Sequence, residues 1–352
     1  MKKIFFCGFF FLAITLTAQE FQTKKMDSLF FLLEKYDKAM GSLSVFHHGE
    51  SLYQKSIGYA DVDEKIKATV NTKYRIGSIS KMFTATLVMQ LIEEGKLSLE
   101  TKLSDFYPEL QNANQVTIQH LLQHQSGFFD IIKSPNFKEW MVEKRSKDEL
   151  LSKIQENKNI FSPGEKRVYT NTNYILLTFI LQDMENDDFA NILEKRILKP
   201  LQLKETYYGE KKSEKSGTSS YEKKDSGWEK VSEMHLSIPH GAAGIISTPE
   251  DLNKFIIGLF DGKLVTENSL MLMKKQPGIG MYPIPFEEGE GIIGHTGSVD
   301  GYRAILVYLP KQDMTVAFTF NAVNYSMKEL TKGILSIILN KEYDLPLMEL
   351  VD

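Results

Sequence analysis

The chain has 352 residues, 42% of them hydrophobic and 25% charged, and a formal charge of −4. This composition excludes a disordered or fibrous protein, provides for a large core, and argues against nucleic acid as a partner. The single cysteine, Cys7, lies near the start, so the rest of the chain has no disulfide framework, thiol catalysis or cysteine metal site.

Residues 1–18 read as an export signal: Lys2 and Lys3, an apolar run from Ile4 to about Leu16, then Leu16-Thr17-Ala18 before Gln19. The expectation is a periplasmic or secreted protein cut after Ala18, with an uncleaved N-terminal anchor as the alternative. Losing the two lysines takes the charge from −4 to −6.

Asp27 or Ser28 is placed to cap a helix whose apolar positions are Leu29, Leu32, Leu33, Tyr36 and Met40, with Gly41 as its end. Ser42 to His48 and Ser51 to Ala60 read as strands joined at Gly49-Glu50, with Val45, Tyr53 and Ile57 turned inward. His47 and His48 flank that turn without a carboxylate or third ligand at useful spacing, so no metal site is expected there.

Arg75 to Thr84 then places Ser78 and Lys81 three residues apart at the mouth of a helix. The helix follows from Phe83, Leu87, Val88, Leu91 and Ile92, and Gly95 stands where it would end. Residues at i and i+3 share a helix face, so the amine can approach the hydroxyl, while unpaired N–H groups favour a developing negative charge. That describes an activated nucleophile. On this motif alone the plainer reading, Ser78 as an N-cap and Lys81 as a solvated side chain, stays open.

Short helical segments follow. Thr117 caps one through Leu121 and Leu122 that ends near Gly127, and Ser146 to Ile154 and Tyr174 to Met184 are others. Lys204 to Glu233 is polar and too long for a simple connection, which suggests a lid or mobile loop in which Tyr207, Tyr208, Tyr221 and Trp228 could line a pocket. After Gly241-Ala242-Ala243-Gly244 and Ile245 to Ser247, Thr248 caps a helix through Phe255 to Leu259 with Pro249 in its first turn. Tyr302 to Leu309 and Thr315 to Phe320 read as strands joined by Pro310 to Asp313, and Ser326 to Leu339 as a closing helix. Strands near both ends predict a sheet assembled from the two chain termini. The α/β lobe would span about 19–96 and 238–352, with an inserted all-α helical lobe over about 97–237.

Two further stretches matter beside Ser78. In Tyr169-Thr170-Asn171, a loop phenol becomes a general base if neighbouring cations lower its pKa, and an amide can hold both a lysine and a substrate carbonyl. In Gly294-His295-Thr296-Gly297-Ser298, glycine allows close approach of a ligand, Thr296 offers a hydroxyl, and an edge N–H can serve an oxyanion.

Taken in this order, the three boxes resemble the serine β-lactamase and penicillin-binding superfamily, in the branch of class C β-lactamases and related D,D-peptidases and esterases. The likeness extends to Leu121 through Gly127, Tyr169 through Leu177 and Gly244 through Leu252. It implies a β-lactamase/transpeptidase-like fold, an antiparallel sheet flanked by helices, with residues 19–352 forming one hydrolase domain. It also implies acyl transfer. Ser78 would be the nucleophile, Lys81 and Tyr169 would share the proton traffic, and Asn171 would place the substrate amide. The backbone N–H groups of Ser78 and Ser298 would form the oxyanion hole, while His295, Thr296 and Gly297 would face the substrate's carboxylate or equivalent group. No metal, organic cofactor or obligate protein partner is implied.

His295 departs from the lysine usual in lactamases of this branch. Histidine is only partly charged near neutral pH, so its pull on a carboxylate should fall as pH rises, which points away from efficient β-lactam hydrolysis. No glutamate-bearing loop of the class A kind is evident, and His124 and Ser126 read as structural support. The first expectation is a D,D-carboxypeptidase or D-peptide hydrolase. The alternatives are an esterase or amidase, a weak β-lactamase, or a silent receptor for penicillins or wall fragments.

Overall fold

The first strand of the chain pairs with both the second strand and the last, which is how the two termini come to share one sheet. The computed structural model describes residues 21–209, 218–286 and 289–346. The export signal with Cys7, and residues 210–217 of the long loop, lie outside the described residues.

The principal strands are β1 (Ala39–His47), β2 (Glu50–Ile57), β3 (Tyr282–Pro283), β4 (Ile293–Val299), β5 (Tyr302–Leu309) and β6 (Met314–Val323). They lie in the order β3-β4-β5-β6-β1-β2, each antiparallel to its neighbour. The principal helices are α1 (Thr23–Lys35), α2 (Ser80–Glu93), α3 (Ile118–Leu122), α4 (Lys147–Gln155), α5 (Asn171–Glu185), α6 (Pro249–Phe260) and α7 (Met327–Ile338).

Strand alternation divides the core in two. Ile305 and Val307 of β5 point to one face, where they meet Leu29, Phe30 and Leu33 of α1 and Leu330 and Ile334 of α7. Ala304 and Leu306 point to the other, where one continuous cluster takes in Phe83 and Leu87 of α2, Phe179 of α5 and Phe255 of α6. The sheet is thus covered by helices on both faces, as expected from the sequence. β4 and β3 form the end of the sheet that carries the third box.

Several local expectations shift. Helix α1 begins earlier, at Thr23, and no side chain caps it; it stops at Lys35, and Asp37 turns the chain at φ 52°. Met40 and Gly41, read as the helix end, belong to β1, where Ala39 to Phe46 are all buried. The hairpin turn falls at His48-Gly49, both with positive φ, as a two-residue turn between twisted strands requires. Val45 and Ile57 are buried, whereas Tyr53 is only half-buried.

Among the helices, α3 ends at Leu122 instead of near Gly127, and Ser146 caps α4 through a reciprocal bond pattern with Glu149. Thr248 and Pro249 open α6, and Ser326 caps α7. The described parts of the long loop contain regular structure. They contribute strands Tyr207–Tyr208, Tyr221–Lys224 and Gly227–Lys230. Three of the loop's aromatic residues have separate partners: Tyr208 bonds the Leu236 carbonyl and His240, Tyr221 packs on Met40 and Ala322, and Trp228 donates to Asp37.

Candidate active site

Ser78 sits in a single 3-10 turn, Gly77–Ile79, that leads directly into α2. Gly77 has φ +53°, a conformation that residues with a Cβ avoid, and a Cβ there would lie 2.6 Å from the backbone nitrogen of Ser298. On the opposing strand, a Cβ on Gly297 would stand 2.0 Å from the Ile76 carbonyl oxygen. Bare backbone on both sides lets β4 lie against the Ser78 turn. This brings the Ser78 and Ser298 segments together, as an oxyanion hole made from their two N–H groups needs.

Helix α2 is anchored from below by hydroxyls. Ser80 Oγ accepts from Ile245 N at 3.1 Å, and Thr84 Oγ1 donates to the Gly241 carbonyl at 2.8 Å. Lys81 is fully buried, one turn from Ser78, and its Nζ has three polar neighbours: Ser78 Oγ at 3.2 Å, Asn171 Oδ1 at 2.8 Å and the Ala242 carbonyl at 2.8 Å. Burial disfavours the ammonium and lowers its pKa to about 7, with Asp130 pulling the other way. The two carbonyl-type oxygens can only accept, so they take the two N–H bonds of a neutral amine. Its lone pair is then left for the serine hydroxyl.

Tyr169 closes the group. Its hydroxyl donates to Ser78 Oγ at 2.8 Å, although 38% of the residue's surface is exposed. Burial of the phenol, outweighing the bond to Ser78, pushes its pKa above the usual tyrosine range, and Asp130 adds to the rise. Tyr169 is therefore not acidified by neighbouring cations: its hydroxyl donates to Ser78, and the group whose pKa is depressed is Lys81.

The segment holding Tyr169 is clamped to the turn after α3. The His124 carbonyl accepts from Val168 N at 3.0 Å, and His124 Nδ1 accepts from Thr170 N at 3.3 Å. The His124 ring packs 4.4 Å from that of Tyr169, and Ser126 Oγ donates to Asn173 Oδ1 at 2.5 Å. Both residues serve as the support read from the sequence. Thr170 caps α5, so Asn171 lies in the first helical turn and not in a loop before it.

Asp130 was not legible as a site residue. Its buried carboxylate accepts from Asn171 Nδ2, at 3.1 Å to Oδ2 and 3.4 Å to Oδ1, which turns Asn171 Oδ1 toward Lys81. Desolvation raises its pKa, and the bonds from Asn171 and the charge of Lys81 oppose that. Its only sequence signal is that it stands three residues after the Leu121 to Gly127 segment.

The third box divides between the two faces of the sheet. His295 pairs with Leu306 and points to the side of Lys81, whereas Thr296 pairs with Ile305 and is exposed beside Ile284, Phe286 and Met327 of the other face. The two side chains leave β4 on opposite faces, because neighbours along a strand alternate. His295 is corrected in charge. Its Nδ1 faces the Thr296 carbonyl, so that nitrogen donates, and Nε2 then accepts from the Tyr282 hydroxyl. A neutral ring satisfies both bonds. Burial, with Lys81 nearby, lowers its pKa to about 3.

A surface depression bordered by Gln202, Lys204, Glu250 and Lys254 lies apart from the site, and none of the residues around Ser78 lines it. At the hairpin, His48 pairs with exposed Asp313 at 2.8 Å and its ring lies tilted against that of His47, 3.9 Å between centres.

Around this serine, buried lysine and tyrosine, the family model beta-lactamase matches residues 32–337. The chain belongs to the beta-lactamase family. That is a family of serine hydrolases, and the fold agrees with it. The chain is 27% identical over 250 residues to a teichoic acid D-alanine hydrolase of Staphylococcus aureus (strain MRSA252), a match covering 71% of this chain and 61% of that protein. It thus spans about three fifths of that relative's length. Among solved structures, the D-amino acid amidase of Ochrobactrum anthropi SV3 complexed with D-phenylalanine superposes with a TM-score of 0.78 at 23% identity, over 90% of this chain and 99% of that one. The octameric penicillin-binding protein homologue of Pyrococcus abyssi superposes with a TM-score of 0.79 at 26% identity, over 92% and 79%.

Proposed function

We propose that this beta-lactamase family member is an exported serine hydrolase that forms an acyl-enzyme on Ser78 and acts on D-amino-acyl peptides, amides or esters. The observation that carries the reading is the placement of Ser78 Oγ between Lys81 Nζ at 3.2 Å and the Tyr169 hydroxyl at 2.8 Å. Export rests on Lys2, Lys3 and the apolar run after them. The D-configured substrate class is supported by the relatives, whose names specify D-alanine hydrolase and D-amino acid amidase.

In the attack step, neutral Lys81 takes the Ser78 proton as Oγ bonds to the acyl carbon. The N–H groups of Ser78 and Ser298 receive the oxyanion, each such donor typically worth about 3 kcal/mol. Tyr169 gives its proton to the leaving group and recovers one from the Lys81 ammonium, whose Nζ lies 4.8 Å from the centre of the phenol ring. Deacylation reverses these roles, with water as the nucleophile. Asn171 holds both Lys81 and the substrate amide.

Within the D-amino-acyl class, the first reading is a D-peptide hydrolase of the D,D-carboxypeptidase type. Uncharged His295 favours a second, an amidase or esterase for substrates without a carboxylate. Turnover of a panel containing an N-acyl-D-Ala-D-Ala peptide, a D-amino-acid amide, a short-chain ester and a cephalosporin tests the function. Cleavage of D-configured members over their L counterparts, lost in Ser78→Ala, is expected; no turnover of any member, or equal turnover by Ser78→Ala, would overturn it.

A further inference from the structure

With His295 neutral and Thr296 on the other face, the third box brings no cation to a bound anion. A cation stands nearby, on the segment that carries Tyr169. Val168 N and Thr170 N both bond to His124, which turns those two residues inward and leaves Arg167 and Tyr169 exposed. Arg167 and Tyr169 therefore share one face of an extended stretch, and Tyr169 reaches Ser78 at 2.8 Å.

The Arg167 guanidinium is fixed from its other side. It lies 5.5 Å over the centre of the Tyr282 ring, and Tyr282 in turn packs 4.5 Å from the His295 ring and donates to its Nε2. Two site residues thus bracket it, one by sequence and one by stacking. Contact with an aromatic face leaves guanidinium N–H groups at the ring's edge free to donate. Among the described residues no carboxylate pairs with Arg167, although most other arginines of the chain are held in ion pairs.

We propose that Arg167, held on the Tyr282 ring at the mouth of the Ser78 cleft, recognises the terminal carboxylate of a D-peptide substrate. The inference rests on the hydrolase reading for its substrate class and assigns the anion to the tyrosine segment instead of the third box. Tyr282 is the positioning residue: its hydroxyl is fixed by His295, and its face sets where the guanidinium lies. A planar fork suits a carboxylate in two-point contact, which a lysine at the same place could offer only as a point charge.

The test is binding, so that it does not depend on turnover. In Ser78→Ala protein, dissociation constants are measured by calorimetry for N-acetyl-D-Ala-D-Ala and for its C-terminal amide. The carboxylate form is expected to bind more tightly, and adding Arg167→Gln should reduce that preference about tenfold or more. Arg167→Lys should retain part of the preference, and rising salt should weaken it in the parent but not in Arg167→Gln. Tyr282→Leu should lower the preference as well, with Arg167 intact. An unchanged preference in Arg167→Gln would overturn the proposal. Loss of all turnover by the wild type, with the preference still present and dependent on Arg167, would sink the hydrolase reading and support this one.

Discussion

Lys81 Nζ stands 3.2 Å from Ser78 Oγ, and its other two polar neighbours, Asn171 Oδ1 and the Ala242 carbonyl, only accept hydrogen bonds. A neutral amine satisfies all three, donating twice and directing its lone pair at the serine. An ammonium would donate to all three and could not take the Ser78 proton.

The active form should therefore be the one with Lys81 unprotonated. Burial lowers its pKa to about 7, so kcat/KM should rise with pH through an inflection near 7. Asp130 pulls that value upward. Asp130→Asn should move the inflection to lower pH, while a side-chain oxygen remains for Asn171. A pH–rate profile of the two proteins checks this. An inflection that stays in place or moves upward would remove Asp130 from the electrostatics of Lys81.

Removing either proton carrier should cost far more than removing a support. Lys81→Ala and Tyr169→Phe should each lower acyl transfer by a factor of about 100 to 10,000, the range of general acid–base catalysis, with thermal unfolding little changed for Tyr169→Phe. Single-turnover acylation rates measure the effect. Full activity in Tyr169→Phe would leave the leaving group's proton to another donor.

Gly77→Ala should damage both folding and catalysis. The position has φ +53°, and a side chain there costs about 1–3 kcal/mol in strain before any contact is counted. The new methyl would also press on Ser298 N, 2.6 Å away, and spread the two oxyanion donors. Urea unfolding and kcat, measured together, should both fall. Ala at this position with unaltered kcat would contradict the assignment of the Ser298 N–H.

His295 should make the protein acid-sensitive. Its folded-state pKa, about 3, lies below the ordinary 6.5, so the unfolded chain takes up a proton that the folded protein excludes. Its contribution to stability is complete above pH 6.5 and declines as pH falls through the window down to about 3. One such group changes the slope by at most about 1.4 kcal/mol per pH unit. Urea midpoints at pH 5.0 and 7.5 should therefore differ more in the wild type than in His295→Gln. His124 and His240, also depressed by burial, remain in both proteins and cancel in the comparison.

Much of this was legible in the sequence because it is local. The i, i+3 spacing of Ser78 and Lys81, the caps Thr117 and Thr248, the helices that start near Ser146 and Ser326, and the terminal hairpin depend on neighbours within a few residues. What was missed depends on partners far away in the chain. Asp130 acquires meaning only when Asn171, 41 residues on, places its amide against it. Tyr282 does so through His295, and the burial that neutralises His295 is a property of the closed sheet. The first helix was misplaced because Met40 suits a helix pattern as well as a buried strand.

The central claim is that Ser78 carries the acyl group, and trapping that intermediate tests it most directly. Wild-type protein and Ser78→Ala are mixed with a D-alanyl thioester, quenched in acid within a second, and weighed intact, with peptide mapping of any adduct. The wild type is expected to gain one D-alanyl group, mapped to the peptide containing Ser78, and Ser78→Ala none. An equal adduct in Ser78→Ala, or substrate turnover by a wild type that never carries the acyl group on that peptide, would contradict it.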